Sequence, residues 1–249
     1  MKAAERATEL LVHFRLTVAA EQLVPRIHEA DLDSALPIIA DILEQEQEAR
    51  HARRVDRLRR ASKLSAQKTF DSFDEARVPA TVRRQLRELA EGTFLQTATN
   101  ILAFGLPGVG KSHALSAVGH ALVQAGHSVL FAPTYSMVQE LMAAKRDLDL
   151  PRKLRKLDNY ELIILDDIGY VTQSTEEAEV LFTLLAERYE RRSTAITSNL
   201  VFTEWDRIFK NKMATSAAID RLVHHSTILE FDVTSYRTEK AKKRKGQAT

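Results

Sequence analysis

Apolar positions follow two regimes along the chain, and the change comes at Gly92. Before it the spacing is helical. Leu10, Leu11, Phe14 and Val18 recur at a helix period, as do Leu36, Ile39, Ala40 and Leu43. Pro25 and Pro37 punctuate this stretch, and Asp31-Leu32-Asp33-Ser34 reads as a helix start. From Ile42 to Arg60 the residues are mostly Glu, Gln, Ala and Arg, which predicts one long solvent-facing helix. Residues 65–80 (SAQKTFDSFDEARVPA) read as a linker with two aromatic anchors, Phe70 and Phe73. A helix over 81–91 leads to Gly92.

After Gly92, short apolar runs alternate with helical stretches. Strands are expected at 100–104, 128–132, 162–165, 194–198 and 227–231. Helices are expected at 112–124, 135–146, 175–191, from 204 onward and at 215–224. Apolar strands joined by helical crossovers predict an α/β fold with a parallel sheet covered on both faces. The chain then divides into a helical region 1–64, a linker 65–80, a sheet domain 81–236 and a basic tail 237–249.

Composition narrows the function classes. The 249 residues include no cysteine, so disulfides and cysteine-based metal sites are excluded, which suits a reducing compartment. No apolar run approaches the ~20 residues of a membrane helix, and the N-terminus carries acids instead of an apolar secretory core. The formal net charge is only +2, but basic residues cluster in RHARRVDRLRR (50–60) and EKAKKRKGQAT (239–249).

Residues 105–112 read Gly-Leu-Pro-Gly-Val-Gly-Lys-Ser, between an expected strand and an expected helix. This is the context in which G-x-x-x-x-G-K-[ST] cradles phosphate. Glycines let successive N–H groups converge on an anion, and the following helix adds the positive end of its dipole. Lys111 would reach the β- and γ-phosphates, and Ser112 would place a hydroxyl on Mg²⁺. A chance match in a chain of this length has a probability on the order of one in a hundred. The nucleotide-binding set is therefore Gly105, Leu106, Pro107, Gly108, Val109, Gly110, Lys111, Ser112 and the next helical residue, His113, with ATP and Mg²⁺ as the cofactors.

A second apolar run, ELIILDDIG, ends in Asp166-Asp167. In a parallel sheet its carboxylates lie at the edge where the phosphate loop opens. Asp166 would hold Mg²⁺, and Asp167 would orient the attacking water. An Asp after a strand is also a common turn former, so the pairing with the phosphate loop gives this signal its weight. Asn199, after the fourth strand, offers donor and acceptor toward a γ-phosphate or water; a turn role is the alternative. Arg221 would neutralise charge at a neighbouring subunit's ATP, or pair with Asp220 or Glu230 in its own chain. Arg191 and Arg192 read as a solvated helix end. His224 and His225 are read as structural or surface residues, because adjacent positions diverge on a helix and no third ligand stands near them at metal spacing.

Taken together, GLPGVGKSH, ELIILDDIGY, LLAERYERRSTAITSNL, Glu204-Trp205, AIDRLVHHS and the late Ser235-Tyr236-Arg237 resemble the IstB family of insertion-sequence helper ATPases. That family is similar to DnaC helicase loaders and, more distantly, to DnaA initiators. The resemblance spans nearly the whole chain. It implies an AAA+ P-loop core with strand order five-one-four-three-two, and the short stretch after the fifth strand implies no helical lid. It implies a bacterial cytoplasmic protein that self-assembles with ATP on duplex DNA and works with a cognate transposase. Asp167 falls where the family often has Glu, one methylene longer, which implies slower turnover. Asn199 matches the sensor position and Arg221 the arginine finger, while Arg237 is a candidate substitute for a lid arginine.

Arg50, Arg53, Arg54 and Arg57 share a broad helix face. From the residues alone, this face fits phosphate neutralisation and a solvated helix paired with Glu44, Glu46 and Glu48 equally well. The family resemblance favours duplex DNA. A DnaC-type loader, a P-loop small-molecule kinase and a nucleotide-gated scaffold without turnover are the rival readings.

Overall fold

The computed structural model describes residues 2–170, 174–209 and 212–232. The expected basic tail, Arg237 and the question of a lid lie outside them. The chain forms two compact units, Met1–Arg57 and Leu58–Thr249.

In the first unit, α1 (Lys2–His13) packs against α2 (Thr17–Glu29), and α3 (Leu36–Ser62) continues past the unit boundary. Ala7, Leu10 and Leu11 form the buried stripe of α1. Helix α1 stops at a left-handed Arg15 (φ 61°), with the Leu16 N–H donating back to Leu11 O. This is the six-to-one bond of a Schellman stop. The break re-aims the chain, so Val18 leaves the expected stripe and is 65 % exposed. Pro25 lies within α2 without ending it, and Pro37 occupies the first turn of α3, where a missing N–H costs nothing.

The second unit begins its regular structure with α4 (Ala80–Ala90), then β1 (Asn100–Gly105), α5 (Lys111–Gln124), β2 (Val129–Pro133) and α6 (Thr134–Arg146). It continues with α7 (Leu150–Asp158), β3 (Leu162–Asp166), α8 (Thr175–Arg188) and β4 (Ser193–Ser198). A short α9 (Asp206–Phe209), α10 (Lys212–Val223) and β5 (Ser226–Phe231) complete it. The five strands pair in parallel in the order β2-β3-β4-β1-β5, as the resemblance implied. Ile101, Leu102, Ala103, Leu162, Ile163, Ile164 and Leu165 are fully buried, as expected of strands covered on both faces. The main core joins these strands to Val138 and Leu141 of α6, Leu181 and Leu184 of α8, and Trp205.

Helix α7 lies outside the expected elements. Its nine residues, LPRKLRKLD, are mostly polar and bury only Leu157. Where it meets β3 and β4, a buried Arg188 donates to Leu157 O (3.1 Å), Tyr160 O (3.0 Å) and Ser193 O (2.7 Å). One guanidinium thus satisfies three carbonyls at the amino edge of the sheet. Beside it Arg191 pairs with Asp158 at 2.7 Å.

The segment 65–80 is tied to α5. His120 Nε2 lies 2.9 Å from Ser65 O, His113 Nε2 lies 3.0 Å from Thr69 O, and Phe73 is buried with its ring edge-on to His113.

Candidate nucleotide site

All strands being parallel, the ends of β1, β3, β4 and β5 meet at one edge of the sheet. The phosphate loop leaves β1 there. Gly105, Gly108 and Gly110 all have positive φ (150°, 84° and 106°). At Gly105 the need for glycine is twofold: the conformation disfavours a side chain, and a Cβ would lie 2.6 Å from Phe231 O on β5. Gly110 caps α5 in the left-handed region, which opens the helix N-terminus toward the loop. Leu106 is exposed, whereas Val109 is buried and anchors the loop.

Lys111 is 8 % exposed. Its ammonium donates to Gly105 O (2.6 Å) and Leu106 O (3.0 Å), so the loop's own carbonyls hold the charge over the loop. Ser112 follows on α5, half-buried. His113 faces the 65–80 segment, with Nε2 3.1 Å from Ser72 Oγ. Its ring is thereby engaged with that segment.

Across the edge, Asp166 ends β3, and Asp167 takes a left-handed φ of 64°. Thr197 of β4 organises both: its hydroxyl donates to Asp166 Oδ1 at 2.7 Å and accepts from the Asp167 N–H at 2.7 Å. Thr134 donates to Asp166 O at 2.9 Å. In the sequence Thr197 stands out only as part of a strand end. The signal that finds it is register, since Leu165 pairs with Ile196 and the next residues on each strand are Asp166 and Thr197.

Asn199 follows β4 with its Oδ1 buried and without a hydrogen-bond partner. A Cβ on Gly169 would collide with that oxygen, so the glycine after the two aspartates makes room for it. A groove of about 420 Å³ opens here, lined by Phe104, Gly105, Leu106, Asn199, Phe202 and Phe231, among others. The structure thus brings Asn199 and the start of the phosphate loop to one opening. The residues fit a magnesium nucleotide: curled glycines, a held ammonium, an oriented carboxylate and an unsatisfied amide oxygen.

Arg221 is placed differently. It lies in the last turn of α10 with its guanidinium 5.0 Å from the Phe182 ring centroid of α8, and its Nη1 is buried without a hydrogen-bond partner. Arg50, Arg53, Arg54 and Arg57 of α3 are all exposed. Arg50 and Arg53 both contact Glu46, at 2.6 and 3.2 Å, and Arg50 also lies 4.2 Å over the Phe14 ring. The Glu46 carboxyl is held below its ordinary range, chiefly by the Arg50 hydrogen bond. Glu44 instead pairs with Arg6.

The model of the IstB-like ATP binding protein family matches residues 6–245. The chain belongs to that family. It is 45 % identical over 208 residues to a putative insertion sequence ATP-binding protein of Sinorhizobium fredii, covering 83 % of this chain and 70 % of the relative. It is 39 % identical to the insertion sequence IS21 putative ATP-binding protein of Pseudomonas aeruginosa, covering 81 % of this chain and 76 % of the relative. Among solved structures, the DnaC helicase loader aligns with a TM-score of 0.58 at 17 % identity, over 69 % of this chain and all of that one. DnaA bound to AMPPCP and single-stranded DNA aligns at 0.59 and 16 %, over 70 % and 52 %. These two likenesses establish the AAA+ fold of this IstB-family chain. Among the described residues no helix is long and apolar enough to cross a membrane.

One expectation is corrected. His224 and His225 do have a third metal-ligand type beside them, Glu190, distant in sequence and brought close by the sheet.

Proposed function

We propose that this IstB-family protein is an ATP-dependent helper of DNA transposition. It assembles on duplex DNA, engages target DNA and recruits or stimulates the transposase of its element. The observation that carries the reading is the pairing of a phosphate loop, whose lysine is held in place, with an aspartate fixed by Thr197, in a chain whose relatives are insertion-sequence ATP-binding proteins.

Each residue has a role in that reading. The loop from Gly105 to Gly110 binds phosphate through its N–H groups, and Lys111 adds the counter-charge. Ser112 and Asp166 hold Mg²⁺, which when bound neutralises phosphate charge. Asp167 orients water, and its short side chain favours slow hydrolysis. Asn199, whose amide offers both a donor and an acceptor, contacts the γ-phosphate or the attacking water. Arg221 serves a neighbouring subunit's nucleotide; to do so it leaves the Phe182 ring as subunits assemble, and its unsatisfied Nη1 lowers the cost of that move. The exposed arginines of α3 contact DNA phosphates independently of sequence. Ile38 and Ile42, one turn apart on α3 and 62 % and 57 % exposed, supply an apolar contact for a protein partner.

Size-exclusion chromatography with ATP, with and without duplex DNA, tests the assembly. The expected result is a larger species that needs both ligands and disappears in Arg221→Ala, while the monomer still binds nucleotide. A monomer under all conditions contradicts the proposal. The likeness to the DnaC loader supports a second reading, a chaperone for a replicative helicase. Paired pull-downs with transposase and helicase separate the two.

A further inference from the structure

We propose that Glu190, His224 and His225 bind a divalent transition-metal ion of the zinc class, at the sheet edge opposite the phosphate loop. Glu190 stands in the turn between α8 and β4, and the two histidines join α10 to β5. Strands β4 and β5 flank β1, so the turns entering them come together at the amino edge. One ligand atom from each of the three side chains lies within 4.8 Å of the others. Glu190 Oε1 is 3.9 Å from His224 Nδ1, and the two imidazole centroids are 4.3 Å apart.

The backbone beneath this cluster is fixed by one buried residue. Asn100, the first residue of β1, donates its N–H to His225 O (2.7 Å) and its side-chain amide to Leu222 O (3.3 Å). Its Oδ1 accepts from Thr194 N at 3.0 Å. The strand that carries the phosphate loop therefore ties together the two segments that carry the ligands. Tyr189 Oη also lies 3.1 Å from His224 Nδ1, so a metal taken by that nitrogen displaces the tyrosine contact.

A tetrahedral ion with donors at about 2.0–2.1 Å holds them ~3.4 Å apart, so closure takes side-chain shifts of roughly an ångström. All three ligands are exposed and have that rotamer freedom. Two imidazoles and one carboxylate suit zinc, copper or nickel, whereas magnesium and calcium prefer all-oxygen shells. The site is thus chemically separate from the magnesium that accompanies nucleotide. Three protein ligands leave a position open to water or to a donor from another molecule. Binding would join the end of α10, which carries Arg221, to the end of α8.

The test is calorimetric titration of the full-length, chelator-stripped protein with zinc chloride and, separately, magnesium chloride, in the absence of nucleotide. The expected result is one zinc per chain, at least tenfold weaker in His224→Ala and in Glu190→Gln, with no magnesium uptake by these residues. Zinc should also raise Tm, and the rise should vanish in Glu190→Gln/His224→Gln/His225→Gln, whose surface changes leave folding intact by circular dichroism. Equal zinc affinity in that triple variant overturns the site, because the remaining histidines then account for binding. Absence of zinc uptake by the parent protein overturns it as well.

Discussion

Charge is held in two different ways at the phosphate-loop edge and on α3. At the loop, Lys111 is buried and donates to two carbonyls, and Asp166 accepts from a threonine on the next strand. On α3 the arginines lie in solvent, and two of them share Glu46. Exposed pairs of this kind contribute little to stability, so the arginines exchange partners readily. A buried, hydrogen-bonded charge does not. The first arrangement suits a single ligand of fixed shape, because the loop keeps its lysine and its neighbouring carboxylate in one place. The second suits a polyanion met in many registers, because a phosphate can replace a carboxylate at little cost.

Substitutions at each region sharpen that contrast. Gly105→Ala has the largest expected effect. Its Cβ would press on the β5 backbone at 2.6 Å from Phe231 O, in a disfavoured conformation. The expected loss is about 2–3 kcal/mol of stability, read as a fall in Tm, together with loss of nucleotide binding. An unchanged melting curve contradicts the close approach of β1 and β5. Thr197→Val keeps the shape and removes the hydroxyl that holds Asp166. ATP turnover should fall roughly tenfold, about one hydrogen bond to a charged group, while nucleotide affinity changes little. Equal turnover in the variant means that Asp166 needs no positioning. Replacing Arg50, Arg53, Arg54 and Arg57 by Gln should leave Tm nearly unchanged. It should also weaken DNA binding and flatten its salt dependence by about 0.9 for each phosphate no longer neutralised. An unaltered salt slope returns this face to solvent.

Local pattern makes the phosphate loop and all five strands legible, because each is written in consecutive residues. Asp166 and Asn199 are readable as strand ends for the same reason. What local pattern misses depends on residues far apart in sequence. Thr197 matters only through its register with β3. Arg188 matters through the carbonyls of Leu157, Tyr160 and Ser193, yet in sequence it resembles the neighbouring Arg191 and Arg192. Glu190 meets His224 and His225 only because β4 and β5 both flank β1. Local features can mislead too. Phe14 and Val18 continue the period of Leu10 and Leu11, but the left-handed Arg15 between them turns the chain. Helix α7 is hidden by its charge, although Leu150, Leu154 and Leu157 have helical spacing.

Lys111, buried and held by the loop's carbonyls, is the residue on which binding of the ATP phosphates depends in the proposed function. Equilibrium titration of ATP with Mg²⁺ against the parent protein and Lys111→Ala measures this directly. Loss of a buried charge pair of about 2–5 kcal/mol predicts that the variant's Kd rises at least ~30-fold. Equal Kd values for the two proteins, with both folded, would show that the nucleotide does not bind through this loop.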